Sequence, residues 1–157
     1  IVRRRKAKAE YDYAQVIRLA KFWTKKMKSE KSDFRFKSFM VELVFAHLID
    51  AGPKFDDYAE ALQNFFTYLA SSALRRKIIF TDYYPAGTVG TFTHPVQLID
   101  PVNAKNNVAC LYTTAQADAI SSAALEAGDA IDAALAAPTK GETVNYWQKV
   151  FGSTFQV

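Results

Sequence analysis

The sequence predicts a mainly α protein, a helical bundle domain with at most a short extended or β element. Apolar residues return at three- and four-residue steps through several long stretches, the mark of helix faces. Only two short runs are rich in β-branched and aromatic residues. With 157 residues, 50% hydrophobic and 14% aromatic, the chain can bury one full core without disulfides or metal.

In the first helix, expected over Tyr13 to Lys28, Val16, Ala20, Trp23 and Met27 share one face. Beside them Arg18, Lys21, Lys25 and Lys28 recur at the same period and form a cationic stripe. A polar link, KSEKSDFRFK, leads to a second helix over Ser38 to Asp50, apolar nearly all round and closed by Gly52 and Pro53. A third is expected over Asp56 to Leu74, capped by Asp56 or Asp57, with Ala59, Leu62, Phe66 and Leu69 buried. Arg75, Arg76 and Lys77 then stand where cations suit the helix dipole.

IIFTDYY and VQLI read as extended, with a glycine- and proline-bearing loop, PAGTVGTFTHP, between them. An alanine-rich helix over Thr114 to Ala136 presents Ile120, Ala124, Ala127, Ile131 and Leu135 on one side, its small residues allowing close packing. Pro138 and Gly141 break it, and VNYWQKVF makes a short last helix anchored by Trp147 and Phe151. Between VQLI and the alanine-rich helix, LIDPVNAKNNVA holds Asp100 extended before Pro101 and supplies three asparagines for turns. It reads as a rigid turn whose Asp100 bonds backbone amides or a cation and does not ligate magnesium.

Charge is uneven. Residues 1–37 carry 13 Lys and Arg against 4 Asp and Glu, net +9, and residues 38–157 carry net −5. Such a basic first quarter suits phosphate or nucleic acid, or is a solvated arm. The longest apolar stretch, FMVELVFAHLI, is too short to span a bilayer and is interrupted by Glu42 and His47. Cys110 is the sole cysteine, which points to a reducing, cytoplasmic setting. The start, IVRRRKAK, reads as the interior of a longer polypeptide.

Much chemistry is absent. The six glycines are scattered, so there is no Walker or dinucleotide phosphate loop. One cysteine and two distant histidines, His47 and His94, make no usual zinc spacing; the histidines read as structural and Cys110 as a small buried hydrophobe. Asp56-Asp57 reads as cap chemistry, and Asp129 with Asp132 as a solvated face.

The order VIRLAKFWTKKM, KSFMVELV, HPVQLIDPVNAKNNVA, an alanine-rich helix and YWQKVFGSTF resembles the C-terminal helical half of oligoadenylate synthetase and cyclic-GMP-AMP-synthase-like nucleotidyltransferases, most of all the bacterial CD-NTases of CBASS antiphage defence. The resemblance runs from about Tyr13 to Phe155. It implies the C-terminal lobe of a two-lobed enzyme that makes cyclic or linear oligonucleotide second messengers from NTPs such as ATP. On that reading residues 1–12 link to an N-terminal catalytic lobe, and residues 13–157 position nucleotide. The other lobe would hold the Mg2+ ions on its carboxylates; Gly152-Ser153 has no spaced aspartates after it, so the chain alone is expected to be inactive.

The resemblance further places Lys21 and Arg18 at the donor triphosphate. It sets Ser38 and Phe39 at a helix start, where hydroxyl and amides meet phosphate and the ring stacks on the base, with Lys37 nearby. Many relatives carry tyrosine where Phe39 stands; without the resemblance, Phe39 reads as core packing at the head of a buried helix. Implied partners are NTPs, the catalytic lobe, and an activating nucleic acid or regulatory protein, with no membrane. Two other readings stay open: an RNA-tailing enzyme of the CCA-adding kind, and a non-catalytic nucleic-acid-binding module.

Overall fold

The computed structural model describes residues 13–52 and 57–156. The linker expected over residues 1–12, and Pro53 and Asp56, lie outside the described residues. Five α-helices form among those described: α1 (Tyr13–Glu30), α2 (Ser38–Ala51), α3 (Tyr58–Ser72), α4 (Thr114–Ala136) and α5 (Lys140–Phe151). None is long and apolar enough to cross a membrane.

Local chemistry sets the helix ends. Gly52 closes α2 at φ 102°, a left-handed angle that costs glycine little, and its N–H donates to the Ile49 carbonyl. Asp57 caps α3 by accepting from the amides of Ala59 and Glu60. Thr113 and Gln116 form a reciprocal capping box at the head of α4. Helix α5 starts at Lys140 under a Thr139 cap, so Gly141 lies in its first turn and not in a break. Helix α3 stops at Ser72, earlier than expected, because Ala73 and Leu74 adopt positive φ of 45° and 55°. Arg75 to Lys77 are therefore past its last turn, and Arg75 pairs instead with Asp118 of α4 at 2.6 Å.

The core is aromatic at its centre. Trp23 of α1 meets Phe66 of α3 edge-on at 4.9 Å and Phe34 of the link at 5.5 Å. Phe45 of α2 stacks on Phe65 of α3 at 4.5 Å, and Phe36 lies parallel to Phe65 at 6.5 Å. Helix α4 packs most extensively on α3 and α5. Its buried face is made of small residues, Ala123, Ala124, Ala127, Gly128, Ala130 and Ala134, with Ile120 and Ile131. Leu135, expected there, is 62% exposed. At the other side Phe151 is buried, in contact with Phe22 of α1 and stacked on Trp147.

The extended segments do not form strands among the described residues. Ile78 bridges Leu98 in parallel and Ile99 bridges Asn107 antiparallel, each as a single bridge. Beyond Phe80 the first segment turns, with the Tyr83 N–H donating to the Phe80 carbonyl at 3.1 Å.

Hydrogen bonds hold the LIDPVNAKNNVA turn as expected. Asp100 accepts from the Val102 amide at 2.8 Å and from the Asn106 side chain at 3.1 Å. Asn107, 2% exposed, accepts from the Leu98 and Ala109 amides at 3.0 Å each and donates to the Val96 carbonyl at 2.8 Å. A buried amide with three partners is a backbone substitute. It joins two chain segments where a continuous ladder is lacking. Cys110, expected to be buried, is exposed beside it.

Replacing Asn107 by alanine leaves two buried N–H groups and one carbonyl without that partner. Unfolding in urea is expected to show a loss of roughly 2–4 kcal/mol. His47, packed beside the Tyr68 ring at 5.3 Å, has its pKa lowered by burial, partly offset by Asp50. The folded chain resists a proton that the unfolded chain accepts. Stability is therefore full above the ordinary imidazole range and falls as the pH drops through it. The urea midpoint should decline from pH 7 to pH 5 more in the wild type than in His47→Gln (range set by the ordinary imidazole value, about 6.5).

Candidate functional site

The period of α1 that buries Val16, Ala20, Trp23 and Met27 turns its cations to one side. There Arg18, Lys21, Lys25 and Lys28 line a cleft of about 420 Å³ together with Phe22, Thr24 and Ser38. Three of the four residues expected to hold nucleotide, Arg18, Lys21 and Ser38, thus meet in one cleft. Phe39 does not line it. It follows Ser38 at the head of α2 and is 43% exposed, so the core-packing alternative for this ring does not hold.

The head of α2 is an unusual helix start. Its N-cap, Lys37, offers no side-chain cap, so the first amides of the helix are left for another acceptor. The Lys37 N–H donates instead to the Tyr112 hydroxyl at 3.1 Å. Tyr112 is 2% exposed, with the Arg35 guanidinium 5.7 Å and the Lys37 ammonium 5.9 Å from its ring centroid. Burial pushes its phenol pKa up, with the Lys37 N–H and the Arg35 charge pulling partly back, so the ring stays neutral. Through Tyr112, the asparagine-rich turn is tied to the helix start that carries Ser38 and Phe39.

Within the cleft the cations differ. Arg18 donates to the side-chain amide oxygen (Oε1) of Gln15 at 3.0 Å. Lys21, one-third exposed, donates to the carboxylate of Glu42, one turn along α2 from Ser38. Thr24 is buried and its hydroxyl is committed to the Lys21 carbonyl at 2.8 Å. Lys25 and Lys28 make no ion pair among the described residues. A row of cations facing an uncapped helix start can bind a polyanion, and an exposed ring beside it can stack on a planar group.

Sequence reasoning did not assign a site role to Glu42 or Tyr112. A signal existed for the first, since Glu42 is the lone carboxylate inside SFMVELVFAHLI and stands four residues after Ser38. Tyr112 gives none, because its partner is 75 positions away. Elsewhere His47 packs beside Tyr68 and His94 beside Phe92, and Asp129 and Asp132 are exposed on α4.

No family model matches the chain. Known proteins do. The chain is 59% identical over 155 residues to the cyclic AMP-AMP-AMP synthase of Escherichia coli (strain MS 115-1), covering 99% of this chain and 48% of that protein. It is 30% identical over 146 residues to the CBASS oligonucleotide cyclase CdnC of Escherichia coli (strain KTE188), covering 93% of this chain and 43% of the relative. Two solved structures of E. coli MS115-1 CdnC, one in complex with HORMA-deltaN and one with ATP, superpose with a TM-score of 0.95 at 59% identity. Each match covers 99% of this chain and 49% of the other. The chain spans about half the length of the curated relatives it matches. In sequence and in fold alike, this helical chain matches the C-terminal part of a CBASS CD-NTase.

Proposed function

We propose that the chain is the nucleotide-positioning lobe of a nucleotidyltransferase that joins NTPs into a cyclic oligonucleotide signal. The observation that carries this is the cleft itself: Arg18, Lys21 and Ser38 on facing elements, with Phe39 exposed beside them. It occurs in a chain 59% identical to part of a cyclic AMP-AMP-AMP synthase, a protein solved with ATP.

In this reading Lys21 and Arg18 take the donor triphosphate, the first amides of α2 and the Ser38 hydroxyl meet its oxygens, and the Phe39 ring stacks on the base. Phenylalanine stacks but offers no hydroxyl, so base identity is read elsewhere. Lys25 and Lys28 add positive field along the same face. Among the described residues no three His, Cys, Asp or Glu side chains converge to hold a metal ion. On this proposal the magnesium ions are held by carboxylates of the other lobe. What Arg18, Lys21, Ser38 and Phe39 supply is binding and orientation, which convert a bimolecular reaction into one between held groups. The lobe works from the cytoplasm as part of a larger enzyme. The solved complex of a relative with HORMA-deltaN supports a regulatory protein as a partner of that enzyme.

The test uses the whole enzyme with ATP, with mass spectrometry of the product and steady-state kinetics. A cyclic oligonucleotide is expected; ATP added only to the end of an RNA would favour the tailing reading. Lys21→Ala should raise the KM for ATP by about tenfold, as loss of a charge-assisted contact implies. Phe39→Ala should raise it about fivefold or more, the scale of one base stack, with little change in melting temperature because the ring is exposed. Normal turnover and normal affinity in both variants would sink the assignment.

A further inference from the structure

We propose that Glu42 is the positioning residue for Lys21: it aims the ammonium into the cleft before nucleotide arrives. The inference rests on the nucleotide reading of that cleft. Glu42 is on α2 and Lys21 on α1, 21 positions apart, and their side chains are 25% and 32% exposed. The ion pair therefore spans the two elements that face each other across the site. Residues that line the cleft itself are cationic, polar or aromatic, with no carboxylate among them. Glu42 meets Lys21 from one turn below Ser38.

An unheld lysine samples many rotamers over its four-carbon stem, and a ligand must arrest them. Glu42 has already done so here. An ammonium has three N–H donors, and a carboxylate oxygen engages one, leaving two for phosphate oxygens. Two other polar side chains of this region are committed elsewhere: the Thr24 hydroxyl donates to the Lys21 backbone carbonyl, and the side-chain oxygen of Gln15 accepts from Arg18. The opposing effect is repulsion between the Glu42 carboxylate and a bound triphosphate. Both side chains reach solvent, which screens that repulsion. Arrest of Lys21 is the larger effect, and losing Glu42 weakens binding.

A double-mutant cycle on the whole enzyme separates this role from a structural one, with the ATP dissociation constant measured by calorimetry and folding checked by melting temperature. Glu42→Ala should weaken ATP binding about three- to tenfold in the wild type, and by less than about twofold in a Lys21→Ala background, because the effect passes through Lys21. Glu42→Gln keeps an acceptor at the same reach without the charge. It should stay within about twofold of the wild type, and serves also if the alanine variant does not fold. Equal weakening by Glu42→Ala in both backgrounds, or tighter binding by Glu42→Gln, overturns the positioning role while leaving the nucleotide site standing. Unchanged ATP affinity in Lys21→Ala alone overturns the site and the positioning role together.

Discussion

The packing of Trp23, Phe45, Phe65 and Phe66 fixes how α1, α2 and α3 sit, and the cleft depends on it. Phe65 lies near-parallel to the rings of both Phe36 and Phe45. Trp23 touches Phe34, Phe65 and Phe66 edge-on. Edge-to-face and offset contacts have preferred angles, so they restrict rotation as well as separation. Trp23 and Lys21 ride the same helix two residues apart, and a rotation of α1 that moved the indole would carry the cations away from Ser38. The charged surface inherits its position from an apolar interior.

A second support reaches the cleft from the far end of the sequence. Asn107 replaces missing ladder bonds between chain segments around Leu98, and five residues later Tyr112 holds the N-cap of α2. Hydrogen bonds from a buried asparagine cost little once all are made and much if any is lost. The asparagine-rich turn is thus scaffold. It keeps the helix start in place and donates no side chain to the cleft.

Periodicity made the helices legible: α4 occupies its expected span and α1 runs two residues past its own, because Val16, Ala20, Trp23 and Met27, and the alanines of α4, repeat at helical spacing. It failed where packing or backbone angle decides. Leu135 continues the α4 stripe but is exposed, while the adjacent Ala134 takes the buried position. Ala73 enters left-handed backbone that no propensity assigns to alanine. The two extended runs each found a single bridge, since turns at residues 81–83 and a bend at Val96 leave little length to pair. At the site, the cationic stripe and the Ser38 helix start were readable from local spacing. The Lys21–Glu42 pair and the Tyr112 bond were not, because each joins residues that only folding brings together.

The row of cations on α1 also bears on how fast an anion arrives. From Arg18 to Lys28 the row runs ten residues, about 15 Å along the helix axis, so its field extends past any one contact. Glu42 neutralises it near one point only, while Lys25 and Lys28 keep their charge outward. A diffusing polyanion is drawn along the row before it touches a side chain, and the capture rate falls as ionic strength shortens the reach of the field. The end of the row beyond Lys21 is thereby a collecting surface, and the other end a holding one.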